Sequence, residues 1–170
     1  MFFPCLENLR RAKFPQQSIE LFDWWLGTRR QNTIHNLNPL QFSLDCNIDF
    51  QHALKIFSRC VFDSEISILS RKLTIICPNC SNDIQKTEGS IDKKKLECVN
   101  CGTKVTELLL PDCTIISFKL LKSPEKELEG HPLDDIPNGS SRGNVPSLRV
   151  SEIQNKIESD EDIRRLVDCL

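Results

Sequence analysis

The chain has 170 residues, of which 39% are hydrophobic and 27% are charged, an ordinary composition for a soluble globular protein. No apolar run approaches the roughly 20 residues needed to cross a bilayer, which argues against a membrane role. The net charge is -2, and the acid is concentrated at the end, where residues 123–170 carry 6 basic and 11 acidic side chains. This balance argues against strong nonspecific attraction of the whole chain to nucleic acid, which needs a basic footprint.

Residues 1–35 are predicted to form an N-terminal helical segment. Pro4 and Pro15 bracket one short helix. A second helix is predicted from Gln17 to Arg30, with Ser18 as its N-cap.

Two adjacent tryptophans, Trp24 and Trp25, lie inside the second of these helices. Neighbouring positions on a helix face different directions, so one of the two is expected in the core. The other is a candidate anchor for a partner protein. The alternative, that both are simply packed, stays open.

Residues 36–76 are predicted to form a small winged-helix-like domain. Asn38-Pro39 begins a short helix, and Asp49 is the expected N-cap of the next. In that next helix apolar residues recur at three-and-four spacing, the pattern of one buried face. They are Phe50, Ala53, Leu54, Phe57, Cys60 and Val61. After Asp63 the pattern becomes strand-like, which completes the layout of a winged helix.

Two Cys-x2-Cys pairs, Cys77 with Cys80 and Cys98 with Cys101, carry the strongest chemical signal in the chain. Their separation matches a four-thiolate zinc site, in which each pair forms a tight knuckle and offers two sulfurs to one tetrahedral ion. Gly102, directly after the second pair, can take the positive φ that such a turn often needs. We therefore predict one structural Zn²⁺ held by these four cysteines.

Other uses of the paired cysteines fit the sequence less well. Disulfides are disfavoured because the first residues show no export signal, so a reducing, cytoplasmic location is expected. A redox Cys-x2-Cys normally comes as a single pair, whereas two pairs are present here. A catalytic zinc is disfavoured because four protein thiolates leave no open position for water.

A three-stranded zinc ribbon is predicted over residues 77–122. Val105 and Leu108–Leu110 are expected in one strand and Thr114–Leu121 in another. A ribbon of this size has little core, so metal binding is expected to contribute on the order of 10 kcal/mol to its folding. Cys113 has two interpretations, as part of the ribbon's third strand or as a small buried hydrophobe. The second interpretation is also the one expected for Cys46 and Cys60.

The last part of the chain is predicted to be a tethered helix. Residues 123–147 hold 4 prolines and 3 glycines with almost nothing to bury and are predicted to be a flexible linker. Residues 148–170 recover helical spacing, with Ser159 as a cap before an acidic turn. This amphipathic helix is a candidate docking element for a partner protein, and its fold-back onto the same chain is the open alternative. Its candidate partner-binding residues are Ile153, Ile157, Ile163, Leu166 and Val167.

From Asn38-Pro39 through Cys101 the sequence resembles the helix, wing and zinc-ribbon domain found ahead of some bacterial nucleotide cyclases. The shared features are the Asn-Pro start, a helix followed by an acidic turn at Phe62-Asp63, an aliphatic strand and a Cys-Pro-x-Cys motif. The resemblance implies a zinc-ligand role for the four paired cysteines, but the chain has no room for a cyclase domain.

By size and layout the chain is also similar to the middle subunits of bacterial three-component antiphage defence systems of the Lamassu type. In those systems a winged-helix protein joins an SMC-like or ABC-type ATPase to an effector. The resemblance implies a free-standing adaptor whose partners are larger subunits, an ATPase and/or a nuclease effector.

The sequence favours a non-catalytic adaptor subunit of a multi-protein complex. Near-neutral charge, candidate exposed aromatic residues and a tethered helix suit protein docking. An enzyme is not expected, because the chain has no phosphate-binding loop, nucleophile elbow or carboxylate pair with metal spacing. No small-molecule substrate is expected either.

A zinc-containing winged-helix transcriptional regulator is the alternative function. The exposed side of the second helix of the winged-helix-like domain would then enter the DNA major groove, supported by the wing and by the lysine run before the second cysteine pair. The candidate nucleic-acid-binding residues are Gln51, Lys55, Arg59, Arg71, Lys72, Lys93, Lys94 and Lys95. Duplex binding by the protein alone, with an affinity that falls as salt rises, would favour this function.

Overall fold

The structure is a computed structural model that describes residues 1–125, 145–156 and 160–168. It is a mixed α+β fold with one three-stranded antiparallel sheet of order β2-β1-β3, which confirms the predicted combination of helices with a small sheet. The elements in chain order are a 3-10 helix (Pro4–Arg10), α1 (Gln16–Gly27), α2 (Pro39–Cys46), α3 (Phe50–Phe62), β1 (Leu69–Ile76), β2 (Asp83–Thr87), α4 (Leu110–Cys113), β3 (Thr114–Leu120), α5 (Val150–Gln154) and α6 (Glu161–Val167). In the described part of the chain, no helix has the length and apolar character to cross a bilayer.

Local sequence signals set the beginnings of α2 and α3 as predicted. The Asn38 side chain accepts a hydrogen bond from the Leu40 amide, and Pro39 occupies the first turn of α2. The Asp49 side chain accepts from the His52 amide and caps α3.

The predicted cap of α1 is wrong. The helix begins at Gln16, two residues before Ser18, and its N-cap is Pro15. The Pro15 carbonyl accepts from the amides of Ser18 and Ile19 at 3.0 and 3.2 Å. The fixed φ of proline therefore starts the helix without a side-chain cap.

Strand β1 is the centre of the sheet and leads into the first cysteine pair. It pairs with β2 on one side and with β3 on the other. The polar stretch Ser70-Arg71-Lys72 lies within this one continuous strand. Because β1 ends at Ile76, Cys77 directly follows the end of the central strand.

The strand predicted over Leu108–Leu110 is wrong. Leu109 and Leu110 donate backbone hydrogen bonds to the Thr106 carbonyl, and the chain then forms the short helix α4. A run of three leucines fits a buried strand or a helix equally well, and Pro111, which suits a first helical turn, favours the helix. The following strand is confirmed as β3, whose residues alternate between buried and half-buried.

An aromatic cluster forms the centre of the hydrophobic core. Its members come from α1, α2, α3 and β3, and all are buried. Phe57 of α3 lies 5.2 Å from Phe22 and 5.0 Å from Phe118, measured between ring centroids, with edge-to-face geometry in both pairs. The cluster comprises Phe22, Trp25, Phe42, Phe57 and Phe118.

Buried Asp23 fastens the beginning of the chain to α1. Its carboxylate accepts hydrogen bonds from the amides of Phe2 and Phe3 at 2.7 to 3.0 Å. The Phe2 ring packs over Gly27, so close that an added Cβ would lie 2.4 Å from a ring carbon. Glycine is therefore required there by the close approach of the ring.

The C-terminal residues form two short helices, where we expected one helix over 148–170. Helix α5 packs on β3 and α6 packs on α3, so this part of the chain folds back onto the body. The N-cap of α6 is Asp160. The predicted cap Ser159, Ile157 and most of the predicted linker lie outside the described residues.

Candidate metal centre

The two Cys-x2-Cys pairs form knuckles with the same backbone hydrogen bonds. In the first knuckle the Cys77 carbonyl accepts from the Ser81 amide at 2.9 Å, and the Cys77 amide donates to the Asn82 carbonyl at 2.8 Å. In the second knuckle Cys98 makes the matching bonds, with the Gly102 amide at 2.8 Å and the Thr103 carbonyl at 2.9 Å. Each knuckle turns its two sulfurs toward the other.

Both knuckles need a left-handed residue directly after their second cysteine. Gly102 has φ +70°, as predicted from its position. Ser81, the equivalent residue of the first knuckle, has φ +58° and carries a side chain in the same conformation. The first knuckle therefore holds backbone strain that the second avoids.

The four sulfurs form one compact cluster. All of them lie within 4.8 Å of one another, and the pairs Cys77–Cys101 and Cys80–Cys98 are each 3.5 Å apart. Sulfurs around a tetrahedral ion with bonds of about 2.3 Å are about 3.8 Å apart. The cluster could therefore bind a metal ion, with Cys77, Cys80, Cys98 and Cys101 as the ligands.

Hydrogen bonds favour the thiolate form of two of these cysteines. The Thr103 side chain, followed by its backbone amide, lowers the pKa of Cys101 to about 6. A backbone hydrogen bond from Asn82 is the largest effect that lowers the pKa of Cys80. Thiolates are the form that binds metal, so these bonds prepare the cluster for a cation.

Cys98 is the ligand whose thiolate form the cluster disfavours in the absence of a cation. The backbone amides of Cys101 and Asn100 act to lower the pKa of Cys98, but burial and the neighbouring sulfurs of Cys80 and Cys101 raise it to about 11. Several thiolates at this separation repel one another, which raises the pKa of the thiols. A bound cation would attract the thiolates and lower the pKa instead.

Four cysteines outside the cluster lie among the described residues, Cys5, Cys46, Cys60 and Cys113, and all four are buried or half-buried thiols. Burial is the largest effect on each of them, and it raises the pKa of Cys60 well above its ordinary value and that of Cys46 to about 11. Cys60 and Cys113 are buried, as predicted, and Cys46 is half-buried. Such thiols behave as small hydrophobes. Cys113 ends α4 and directly precedes β3.

Helix α6 lies over the side of α3 that the alternative function would place in DNA. Lys55 Nζ is 2.7 Å from a carboxylate oxygen of Asp160, and the Arg59 guanidinium is 2.9 Å from one of Asp162. Gln51 Nε2 lies 3.4 Å from a backbone carbonyl of the same C-terminal segment. The structure thus brings these three predicted residues together and supplies each with an acceptor from its own chain.

The two predicted basic residues of β1 also have acceptors within the chain. Arg71 Nη1 donates to the carbonyls of Arg165 and Leu166 at 3.1 and 2.8 Å. Lys72 Nζ donates to the Asn36 side chain at 3.0 Å. Neither residue extends freely from a wing.

The lysine run before the second knuckle is exposed but partly paired. Lys93 lies 3.1 Å from Glu107, and Lys95 lies 3.7 Å from Asp92. Lys94 is exposed, and its backbone amide donates to the Asp92 side chain. The local charge is therefore mixed and does not make a basic stripe.

The tryptophan pair divides as the sequence predicts. Trp25 is 1% exposed, and its indole N–H donates to Asp45 at 2.9 Å. Trp24 is 56% exposed on the same helix. Trp24 is therefore the one of the two that a partner can reach.

The predicted partner-binding residues of the C-terminal helix are core residues of this chain. Ile153, Ile163, Leu166 and Val167 are all buried, because α5 and α6 pack against the body. These side chains are inaccessible to another protein in this arrangement, which favours the fold-back alternative that the sequence left open. Ile157 lies outside the described residues.

Two further apolar side chains, which the sequence analysis did not propose as partner-binding residues, are exposed in turns. Val99, between the ligands of the second knuckle, is 100% exposed, and Leu108 is 91% exposed. The position of Val99 between two ligands of one tight turn is the sequence signal that could have identified it as an exposed apolar residue, because such a turn has no interior in which to bury a side chain.

No known protein family, no curated protein and no solved structure matches this chain. The resemblances inferred from the sequence therefore remain predictions, and the interpretation of the site rests on its own geometry.

Proposed function

We propose that the four-cysteine cluster is a structural zinc site. Four thiolates in a tetrahedral arrangement select zinc or iron among common metals, and closed four-cysteine sites are typical of structural zinc. Bound zinc would link the two knuckles and thereby hold residues 77–105 in place. The four ligands would leave no position for a substrate, which agrees with a non-catalytic role.

We propose further that the protein is a non-catalytic adaptor subunit that docks larger proteins. The observation that carries this proposal is the exposure of large apolar side chains, Trp24 on α1 and Val99 and Leu108 in turns. Exposed tryptophan is enriched among residues that dominate protein interfaces. An ATPase and/or an effector are the partners that the resemblance to defence systems implies.

The order α2, α3, β1 supports a winged-helix-like arrangement, and a DNA-binding regulator is the second candidate function. What weighs against it is the pairing of Lys55 and Arg59 with carboxylates of the same chain. Lysine and arginine side chains that are already paired with carboxylates neutralise fewer DNA phosphates. They therefore release fewer of the counterions bound to DNA and add less to DNA affinity.

Gentle purification of the tagged protein from its native host tests the adaptor function. After a high-salt wash, we expect a larger protein at fixed stoichiometry and one zinc per chain in the same sample. Recovery of the protein alone, with tight duplex binding at moderate salt, would favour the regulator instead.

A matched pair of variants locates the docking surface. Trp24→Ala removes an exposed side chain and should reduce recovery of the partner without changing the fold or zinc content. Leu44→Ala removes an exposed apolar side chain of α2 and is the control. Equal recovery with both variants would exclude Trp24 as an anchor.

A further inference from the structure

Helix α6 covers a surface of α3 and β1 that contacts it at both ends. At the start of the helix, Lys55 and Arg59 of α3 pair with Asp160 and Asp162 at 2.7 and 2.9 Å. At its end, Arg71 of β1 donates to two backbone carbonyls of the last turn. The surface therefore matches a short helix with an acidic beginning.

The middle of this surface is apolar. Ile163, Leu166 and Val167 of α6 are buried there, at the spacing of one helical face. Ser58 beneath them is buried and donates to the Asp162 carbonyl, so it also needs an occupant that supplies an acceptor. A nucleic acid backbone would leave the apolar area uncovered, whereas an amphipathic helix would cover it again.

Helix α6 does not satisfy the surface completely. Within the described residues, Arg71 Nε is buried and has no hydrogen-bond acceptor, because α6 offers carbonyls to Nη1 alone. A guanidinium binds a carboxylate through two parallel N–H groups. A helix with a carboxylate at its end could therefore use a donor that α6 leaves unmet.

We propose that the surface under α6 is a docking site for an acidic amphipathic helix of a partner protein, and that α6 is its replaceable internal occupant. The inference rests on the proposed adaptor function and names the chemistry of the partner. The partner helix carries carboxylates in its first turn, apolar residues at i, i+3 and i+4, and a carboxylate that reaches Arg71. Docking releases α6, so the contact that α6 makes in the free protein inhibits premature assembly.

A labelled peptide with the sequence of residues 156–167 tests the surface on the full-length, metal-loaded protein. The variant Asp160→Asn with Asp162→Asn loosens α6 but keeps an N-cap, since asparagine also caps helices. The control, Glu161→Gln with Asp168→Asn, makes the same charge change at two exposed positions of the same segment. We expect the peptide to bind the loosened variant about 2- to 30-fold more tightly than the control or the wild type, because two partly exposed ion pairs no longer hold α6.

The end of the peptide tests the unmet donor of Arg71. A free acid at Val167 places a carboxylate one residue beyond the Leu166 carbonyl that Arg71 binds, whereas an amide does not. We expect the acid to bind more tightly than the amide, and expect Arg71→Gln to remove that difference. Adding Lys55→Gln and Arg59→Gln to the loosened variant should abolish its gain in affinity.

Three outcomes would overturn the proposal. They are the absence of saturable peptide binding to the loosened variant, equal peptide affinity for all three proteins, and a gain in duplex DNA affinity in place of peptide affinity. Failure of the proposed adaptor function would give a different result from failure of the proposed docking surface. If the peptide docks as expected but no larger protein co-purifies, the surface stands without the adaptor function. If a partner co-purifies but no peptide docks, the adaptor function stands without this surface.

Discussion

The helical body and the cysteine unit, residues 77–105, differ in how much apolar surface they bury. The body buries a continuous aromatic cluster around Phe57. Apart from its cysteines, the unit buries three apolar side chains, Ile91, Leu96 and Val105. We therefore expect the body to depend on apolar packing and the unit to depend on the proposed metal. Changes that act on one region alone are the sharpest tests of this difference.

Loss of one ligand should have the largest effect. Cys98→Ser should release the metal and unfold the cysteine unit, because metal binding at such sites contributes on the order of 10 kcal/mol. Hydrogen exchange should show lost amide protection over residues 77–105 and retained protection in α3. Metal content of the same sample is read by mass spectrometry.

Cys46→Ser is the control for this prediction. Cys46 is half-buried, and burial raises its pKa to about 11, so it is a neutral thiol outside the cluster. The control should keep its metal and its protection pattern. Retention of metal by Cys98→Ser would contradict the assignment of the four ligands.

Truncation of the aromatic core should have the next largest effect and should leave the metal in place. Phe57→Ala is expected to lower the free energy of unfolding of the body by about 3–5 kcal/mol, since it leaves a cavity between buried rings. Urea denaturation followed by the fluorescence of buried Trp25 measures the loss. Leu44→Ala, at an exposed position, should change stability by no more than about 0.5 kcal/mol. Metal loss from Phe57→Ala under native conditions would show that the two regions fold as one.

The sequence predicted the features that local patterns determine. Helix α3 follows from its apolar spacing and its Asp49 cap, and the knuckles follow from the Cys-x2-Cys motif with Gly102. The strand over Leu108–Leu110 was mispredicted because a run of leucines fits both strand and helix, and Pro111 decided between them.

Features that depend on distant contacts could not be predicted. The pairing of Arg59 with Asp162 joins residues 103 positions apart, and no local pattern encodes it. For the same reason the sequence could not decide between Trp24 and Trp25, or between docking and fold-back for the C-terminal helix. Two adjacent residues differ in burial only through the tertiary contacts of α1 with its neighbours.

Changes in the backbone strain of the knuckles should have a smaller effect, on metal affinity. The effect should have opposite signs for a substitution in the second knuckle and one in the first. Gly102→Ala places a side chain at φ +70° with nothing within 4 Å of its Cβ, so the cost comes from the backbone alone. We expect it to weaken metal affinity about tenfold, which corresponds to about 1–2 kcal/mol. Ser81→Gly should preserve or improve affinity, because it relieves the same conformation in the first knuckle.

Competition with a coloured chelator measures both affinities under identical conditions. The thermal stability of α3 and of the β1–β3 pair should be the same in the two variants, because both changes lie in the cysteine unit. Equal metal affinity of Gly102→Ala and the wild type would show that the second knuckle does not need its left-handed residue. A weaker Ser81→Gly variant would show that the serine side chain contributes more than its strain costs.

The smallest expected effect is the pH dependence of the α6 contact. Burial raises the pKa of Asp160, but the hydrogen bond and charge of Lys55 outweigh it, so the folded pKa lies below the ordinary value of 3.8. A lowered folded pKa means that the ion pair stabilises the protein above the ordinary pKa. That contribution is lost as the pH falls from about 4 through the lower folded value. A partly exposed pair contributes a few tenths of a kcal/mol, so the measurement must be a difference between matched proteins.

The matched proteins are the wild type and Asp160→Asn, which keeps the helix cap but removes the titrating group. At pH 7 the wild type should melt at a slightly higher temperature, and the difference should shrink as the pH falls below about 4 and through the lower folded pKa. Acid also protonates the cysteine ligands and releases the metal, but it does so in both proteins and cancels in the comparison. Glu161→Gln, exposed on the same helix, should melt like the wild type at every pH. A difference that persists unchanged into strong acid would mean that Asp160 stabilises α6 by capping alone, and that Lys55 contributes nothing to holding it on the body.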